Sequence, residues 1–278
     1  MQIMNGKNLK KKQLLELKEQ LLQLNEKLGL AVVQVGNDEA SKVYVRQKKN
    51  MAEQLGYTFY HIQLDEKISE KELIDEIQKL NHNSLIDGIL VQMPLPNHIN
   101  ASKVQDSVLA NKDVDGLNAY NAGKLLKHEE GLLPCTPSGI LSLLKEYQIP
   151  IAGKHVVIVG RSELVGKPLA LLLLNENATV TICHSKTVDL KKYTAMADIL
   201  ISAVGKKDLI RGEMVKDGSV VIDVGITRVD GKLYGDVAFD EVSSRCSYIT
   251  PVPGGVGPMT VSELGYNVYK AHMKRYHK

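Results

Sequence analysis

The sequence has 278 residues, 44% of them hydrophobic and 24% charged, which is enough apolar material for the core of one large domain or two smaller ones. The formal net charge is only +3 and no apolar run approaches the length of a bilayer span, so we expect neither nucleic acid nor a membrane as partner. The three cysteines are far apart and form no CxxC pair or Cys/His cluster, so we expect no metal and a reducing, cytoplasmic environment.

Helices and strands alternate through the first half of the chain. The apolar spacing predicts, in order, a helix over 8–28, a strand over Leu30–Val35, a helix over 41–55 with Ser41 as its N-cap, a strand over Tyr57–Leu64, a helix over 69–81 and a strand over Ile86–Met93. Strands separated by helices are typical of an α/β domain with a largely parallel sheet.

The stretch 111–137 is polar and irregular, and the alternation then resumes. The pattern predicts a helix over 138–147, a strand over His155–Val159, a helix ending near residue 175, strands over Thr179–Cys183, Ile199–Val204 and Ser219–Val224, a Gly/Pro-rich loop over Thr250–Thr260 and a helix over 261–274. We therefore predict an α/β protein of two domains, 1–137 and 138–260. The second is expected to be Rossmann-like, and the last helix, within 261–278, is expected to pack back on the first domain.

A candidate nucleotide site begins where the strand His155–Val159 ends. Gly160 permits a tight turn there, and the helix that follows can bind a pyrophosphate with its free N–H groups. Arg161 and Ser162 stand where the usual Gly-x-Gly-x-x-Gly fingerprint has its second glycine, so a plain strand–turn–helix corner also fits.

The next strand end indicates which dinucleotide is bound. A site for NAD usually has Asp or Glu there to bind the ribose 2′-hydroxyl, but no acid occupies 183–187. Ser185 and Lys186 offer donors instead, and the Arg161 guanidinium suits a phosphate. This favours NADP over NAD, although Ser185 and Lys186 would also fit an ordinary exposed loop.

The first half of the chain contains a second group of polar candidates. Tyr44 and Lys48 are four residues apart and share one helix face, and Gln92 ends a strand, where α/β sheets bind ligands. An amide and a lysine that converge there could orient a water molecule. A surface pair without function is the commoner explanation of the Tyr44–Lys48 spacing, and Asp115 before Gly116 also fits a simple turn.

Several stretches resemble, in order, the signatures of the methylenetetrahydrofolate dehydrogenase/cyclohydrolase family, and together they span nearly the whole chain. They are Val35-Gly36 with Ala40–Lys48, Asp87–Pro96, Lys112–Gly116, Pro134–Pro137, Gly160–Ser162 with Val165-Gly166 and Pro168, and Pro251–Thr260. The chain departs from many bacterial members at Leu117-Asn118-Ala119, where they carry a histidine, and at Asp38-Glu39, where others have Asp-Pro or Asn-Pro. These departures concern substrate affinity and relative rates rather than the reaction class.

The resemblance implies an NADP-dependent enzyme that oxidises methylenetetrahydrofolate, hydrolyses the product and forms a homodimer. It implies that Lys48 is the central catalytic group held by Gln92, that Tyr44 stacks on the folate and that Asp115 bonds the pterin ring. Further residues are implied to bind the substrate (Pro253 and Gly254) and the cofactor (Gly160, Arg161, Ser162, Ser185 and Ile226).

These roles predict a mechanism for hydrolysis. A buried lysine beside a cationic methenyl substrate should have a lowered pKa, and the neutral amine of Lys48 could then take a proton from the attacking water.

Three other functions compete with this one. An NADP oxidoreductase of the shikimate dehydrogenase kind would share the nucleotide half but not the first-half residues. An inactive nucleotide-binding regulator would not need four intact polar residues there. Formyltetrahydrofolate ligation would need ATP, and the sequence has no Gly-x-x-x-x-Gly-Lys-Ser/Thr loop.

Overall fold

The computed structural model describes residues 1–276, apart from the side chain of Ala40, so the last two residues of the predicted helix 261–278 lie outside the described residues. Its helices are α1 (Gly6–Leu24), α2 (Glu39–Leu55), α3 (Glu70–His82), α4 (Ala101–Ser107), α5 (Ala119–Leu126), α6 (Cys135–Glu146), α7 (Gly166–Asn175), α8 (Leu190–Thr194), α9 (Phe239–Ser243) and α10 (Val256–Tyr276), with a 3-10 helix at Gly212–Met214. Its strands are β1 (Gln2–Ile3), β2 (Gly29–Val35), β3 (Thr58–Leu64), β4 (Gly88–Val91), β5 (His155–Val159), β6 (Thr179–Cys183), β7 (Ile199–Ser202), β8 (Val220–Asp223), β9 (Thr227–Val229), β10 (Lys232–Tyr234) and β11 (Tyr248–Ile249).

The chain forms two compact units. The large-sheet unit contains Met1–Lys11 and Thr136–Thr260, and the small-sheet unit contains Lys12–Cys135 and the chain from Val261 onward. Residues 1–11 were predicted in the first domain, 1–137, whereas in the structure they lie in the large-sheet unit, because β1 pairs in parallel with β11 and thereby joins the large sheet. A two-residue strand leaves no periodic pattern that the sequence could have revealed.

The small-sheet unit is built on a parallel sheet of order β3-β2-β4. Its central strand β2 is buried along its whole length, and successive side chains enter two different cores. Leu30 and Val32 pack with residues of α1, α2 and α10, whereas Ala31 and Val33 pack with residues of α3 and α4. This alternation is the two-residue period of a strand that is covered on both faces.

Helix α2 is fixed at both ends. Asp38 is its N-cap and accepts a hydrogen bond of 2.7 Å from the backbone N–H of Ser41, so the prediction of Ser41 as the N-cap is wrong. The helix ends at Gly56, whose φ of 80° is the left-handed conformation typical of helix C-termini. These two caps fix where the helix begins and ends, and with it the position of Tyr44 and Lys48 on one of its faces.

The large-sheet unit has a parallel six-stranded sheet of order β1-β11-β8-β7-β5-β6. The order reverses at β5, because β6 lies on one side of it and β7 on the other. Val156 and Ile158 of β5 enter one core, and Val157 and Val159 enter another. In sheets of this kind ligands bind at the carboxyl ends of the strands, where the order reverses.

Helix α10 begins five residues earlier than the predicted helix over 261–274, inside the predicted loop Thr250–Thr260. Pro258 does not prevent this, because it lies in the first turn, where a helix needs no donor from that position. The sequence pattern also failed to reveal α4, α5 and the antiparallel hairpin formed by β9 and β10.

Candidate active site

A lysine and a glutamine meet in the small-sheet unit. Lys48 on α2 donates a hydrogen bond of 2.7 Å from its Nζ to Oε1 of Gln92, which follows β4. The Nε2 of Gln92 donates to the carbonyl of Met93 at 2.7 Å, and its backbone N–H donates to Val33 at 2.8 Å. Gln92 is only 8% exposed, so these contacts fix its amide with the oxygen facing the lysine.

The Asp115 carboxyl lies next to this amine and to the Cys135 thiol. Burial lowers the pKa of Lys48, with the charge of Asp115 opposing the change. Burial raises the pKa of Asp115, with the charge of Lys48 opposing it, and it also raises the pKa of Cys135, which stays a protonated thiol. Lys48 therefore loses its proton more readily than an ordinary lysine.

The loop that carries Asp115 is held from several sides. The Asp113 carboxylate accepts a hydrogen bond of 3.1 Å from the backbone N–H of Gly116. Gly116 has φ of 71°, and a Cβ there would lie within 2.6 Å of three backbone atoms of the neighbouring chain segment. Asn267 on α10 donates to the carbonyl of Val114 at 2.9 Å. Asp115 is thus placed by the protein itself before any ligand binds.

Tyr44 lies one helical turn before Lys48 on α2. Its side chain is 40% exposed, although the rest of that helix face packs on the core. The described part of the chain gives its hydroxyl no hydrogen-bond partner. An exposed ring beside a fixed amine is available to stack on a planar ligand.

The predicted nucleotide site lies where the order of the large sheet reverses. Gly160 follows β5 with φ of 125°, and a Cβ there would come within 2.5 Å of the carbonyl oxygen of Ala203. A Cβ on Gly166, at the start of α7, would come within 2.1 Å of the carbonyl oxygen of Gly160. No side chain caps the N-terminus of α7. The close turn and the open helix end fit a pyrophosphate group.

The polar residues around this turn are exposed. The Ser162 hydroxyl accepts a hydrogen bond of 3.2 Å from the backbone N–H of Val165. Arg161, Ser185 and Lys186 are exposed, and no hydrogen bond or ion pair of their side chains is found within residues 1–276. The cations and donors at the ends of β5 and β6 therefore pair with no carboxylate of the described residues.

Ile226 lies beyond the end of β8, and its side chain is 43% exposed. Its counterpart Val204, which no sequence motif singled out, is 47% exposed and lies beyond the end of β7. Two buried carboxylates behind these loops, Asp223 and Asp236, were likewise not predicted from the sequence. The motif Val-Ile-Asp at the end of a buried strand was the available signal for Asp223, because an acid at such a position needs partners.

Pro253 and Gly254 belong to the large-sheet unit, whereas Tyr44, Lys48, Gln92 and Asp115 belong to the small-sheet unit. The carbonyl of Gly254 accepts hydrogen bonds from the backbone N–H groups of Gly6 at 3.0 Å and Lys7 at 3.2 Å, at the start of α1. This carbonyl is therefore already occupied by protein donors.

Over residues 1–276 no group of three or more His, Cys, Asp or Glu side chains is arranged to bind a metal ion. The same residues contain no helix with the length and apolar character needed to span a membrane.

The folds and side chains define a two-domain α/β enzyme with a dinucleotide-binding sheet. The family profile described as tetrahydrofolate dehydrogenase/cyclohydrolase, catalytic domain, matches residues 4–115. The profile of the NAD(P)-binding domain of the same family matches residues 134–276. The chain belongs to the tetrahydrofolate dehydrogenase/cyclohydrolase family.

Similar proteins agree with this membership. The protein named Bifunctional protein FolD from Campylobacter hominis is 49% identical over 279 residues, which covers 99% of this chain and 98% of that protein. The crystal structure of the bifunctional enzyme FolD from Campylobacter jejuni is 47% identical, with a TM-score of 0.97 and coverage of 99% of both chains. The enzyme from Trypanosoma brucei, solved with NADP and an inhibitor, is 36% identical, with a TM-score of 0.95 and coverage of 99% of this chain and 98% of that one.

Family membership confirms the predicted resemblance, the two-domain α/β fold class, the pair of activities and an NAD(P)-type cofactor. The match over residues 4–115 also decides against a shikimate dehydrogenase, which was expected to share only the nucleotide half.

Proposed function

We propose that this protein oxidises 5,10-methylenetetrahydrofolate to 5,10-methenyltetrahydrofolate with NADP and then hydrolyses it to 10-formyltetrahydrofolate, as part of one-carbon metabolism. The observation that carries the proposal is the 2.7 Å hydrogen bond between Lys48 and Gln92 beside the Asp115 carboxyl. A lysine with a lowered pKa, oriented by an amide and next to an acid, is suited to proton transfer.

In the dehydrogenase step the protein supplies position rather than acid–base chemistry. When bound, NADP would supply the acceptor for a hydride, which the electron density of the folate nitrogens would expel from the methylene carbon. Tyr44 stacks on the folate, and the carboxyl of Asp115 accepts hydrogen bonds from the pterin ring. These contacts hold the donor carbon in a reactive orientation, which is the main contribution an enzyme makes to such a transfer.

In the cyclohydrolase step Lys48 acts as general base. Gln92 Oε1 accepts an N–H of the amine, so the lone pair of a neutral Lys48 is left for the attacking water. The water adds to the cationic methenyl carbon and one of its protons passes to Lys48 Nζ. The bond between that carbon and N5 then breaks, the hydroxyl proton is transferred to N5, and Lys48 releases its proton to solvent, which leaves the formyl group on N10. Burial lowers the pKa of Lys48, and a cationic substrate next to it lowers the pKa further, so the neutral form is favoured when the substrate is bound.

NADP is the proposed cofactor. Gly160 and Ser162 bind the pyrophosphate, Arg161 and Ser185 bind the 2′-phosphate, and Ile226 contacts the dinucleotide. The support is the close turn at Gly160 and the exposed, unpaired side chains of Arg161 and Ser185 within the described chain.

The domain roles follow from the same assignments. The small-sheet unit binds folate, and residues 136–260 of the large-sheet unit bind NADP. Pro253 and Gly254 are proposed to contact the substrate through backbone groups other than the Gly254 carbonyl, which already accepts hydrogen bonds from Gly6 and Lys7. We further propose a homodimer in the cytoplasm. Three buried cysteines that form no disulfide are consistent with a reducing compartment, and sedimentation of the purified protein tests the dimer.

A two-wavelength assay tests the proposal. Methylenetetrahydrofolate is supplied with NADP or NAD, and the absorbance of reduced cofactor and of methenyltetrahydrofolate is followed. We expect reduced cofactor to form with NADP at a higher kcat/KM than with NAD, and added methenyltetrahydrofolate to be hydrolysed without cofactor. Absence of both reactions would contradict the function, and equal kcat/KM values would contradict the cofactor assignment alone.

A further inference from the structure

Asp223 and Asp236 are buried in the large-sheet unit and pack against each other's loops. Asp236 is 0% exposed and Asp223 is 4% exposed. A Cβ on Gly225 would come within 1.9 Å of Asp236 Oδ1, and one on Gly235 would come within 1.8 Å of Asp223 Oδ2. The Asp236 carboxylate therefore fits only because residue 225, two positions after Asp223, is a glycine. The Asp223 carboxylate likewise fits only because residue 235, just before Asp236, is a glycine.

Asp236 determines the path of the chain beyond β7. It accepts hydrogen bonds from the Ser202 hydroxyl at 2.9 Å and from the backbone N–H groups of Val204 and Lys206, both at 2.7 Å. These donors turn inward to the carboxylate, and the Val204 side chain is left 47% exposed. The loop after β7 is thus shaped by a side chain that follows the β9–β10 hairpin.

Asp223 determines the path of the chain beyond β8 in the same way. It accepts hydrogen bonds from the backbone N–H groups of Gly225 at 3.1 Å, Asp236 at 2.9 Å and Val237 at 3.0 Å. The bond to Gly225 fixes the turn that leads to Ile226, whose side chain is 43% exposed.

The exposed apolar side chains of Val204 and Ile226 lie at the strand ends where the nicotinamide half of the dinucleotide is expected. With the 2′-phosphate at the end of β6 and the pyrophosphate at the end of β5, the nicotinamide half extends over β7 and β8, because these strands are on the other side of β5. An apolar side chain that protein leaves exposed at such an edge is available to contact a planar ring.

We infer that Asp223 and Asp236 are positioning residues for the nicotinamide half of the cofactor, because they hold the two loops that present Ile226 and Val204. The inference rests on the proposed function. Neither carboxylate needs to touch the ligand, since all of the contacts described for them are made to backbone and hydroxyl donors of the protein.

The experiment compares Asp236→Asn and Asp223→Asn with Asp217→Asn, an exposed aspartate that pairs with Arg245 at 2.7 Å. An amide in place of either buried carboxylate turns an NH2 group towards a backbone N–H and displaces the loop. We expect KM for NADP to rise about tenfold or more in both buried variants, as loss of one charge-assisted hydrogen bond would produce. The Kd of NADPH, read from its own fluorescence in a chain without tryptophan, should rise in parallel.

Hydrolysis of methenyltetrahydrofolate in the absence of cofactor separates positioning from folding. We expect this activity to stay within about twofold of the wild type in both buried variants, because it needs no nicotinamide. Gly225→Ala, which pushes a methyl group into Asp236, is a second variant with the same expected pattern.

Unchanged KM and Kd for the cofactor in these variants would overturn the inference. A parallel fall of both activities would also overturn it, because the aspartates would then only maintain the fold. If the wild type itself reduced no NADP, the proposed function and this inference would fail together, which is a distinguishable result.

Discussion

The two units prepare their sites in opposite ways. In the small-sheet unit Lys48 and Gln92 already bond to each other at 2.7 Å. At the carboxyl edge of the large sheet Arg161 and Ser185 are exposed, and the described chain offers their side chains no partner. The comparison shows that the side chains proposed for proton transfer are already held by protein contacts, whereas those proposed to bind the 2′-phosphate have no contacts of that kind within residues 1–276.

The largest expected effect is the loss of cyclohydrolase activity on substitution of Lys48, which lies in the small-sheet unit. Lys48→Met should lower the cyclohydrolase rate by about two to four orders of magnitude, the usual contribution of a general base. Hydride transfer should persist, because it needs no base. Lys49→Met is the matched control, since Lys49 is exposed and pairs only loosely with Glu53 at 3.8 Å. Full cyclohydrolase activity in the Lys48 variant would exclude the assigned role.

The substitution Gly160→Ala should weaken NADP binding at the large sheet and leave the site in the small-sheet unit unchanged. In Gly160→Ala the new Cβ would overlap the carbonyl oxygen of Ala203, and φ of 125° is unfavourable for alanine. We expect KM for NADP to rise about a hundredfold, with cyclohydrolase activity retained. A change of that size corresponds to roughly twice the free energy of a single hydrogen bond. Gly123→Ala, where the space is open, serves as control. Unaltered NADP kinetics would argue against a pyrophosphate at this turn.

The substitution Arg161→Ala tests whether this exposed side chain binds the 2′-phosphate of NADP. Arg161→Ala should raise KM for NADP about tenfold, the effect of one charge-assisted contact, and leave KM for NAD nearly unchanged. Steady-state kinetics with both cofactors give the comparison. Arg211→Ala, which breaks a surface ion pair with Glu241, should change neither constant. Equal losses for NADP and NAD would contradict the phosphate contact.

The smallest effect concerns stability and pH. Burial raises the pKa of Asp223 to about 7, so the folded protein binds this proton more tightly than the unfolded chain does. Stability therefore falls as pH rises through the interval between the ordinary aspartate pKa and about 7, by at most about 1.4 kcal/mol per pH unit. Urea unfolding should show a weaker pH dependence in Asp223→Asn, whereas Asp217→Asn should keep that of the wild type. An identical slope in Asp223→Asn would contradict the shift.

The sequence predicted those parts of the molecule that rest on local periodicity. Strand β2 and helix α2 follow from apolar spacing, and Lys48 and Gln92 could be placed at one sheet edge because the strand–helix order implies it. The ends of elements were less accurate. Ser41 and Asp38 are both good N-caps by composition, and only the three-dimensional path of the chain selects Asp38.

Long-range features escaped the sequence for a physical reason. The pairing of β1 with β11 joins residues almost 250 positions apart, and two residues carry no periodic pattern. The reciprocal packing of Asp223 and Asp236 depends on the β9–β10 hairpin returning to the sheet. Such contacts depend on tertiary structure, which a single sequence does not specify locally.

The pKa of Lys48, measured by NMR of labelled lysine side chains, tests the central claim most directly. The account predicts a pKa below that of an ordinary lysine, because burial outweighs the attraction of Asp115, and a still lower pKa in Asp115→Asn, where that attraction is removed. A pKa at or above the ordinary value in the wild type would contradict it, because Lys48 would then carry its proton and could not accept one from water.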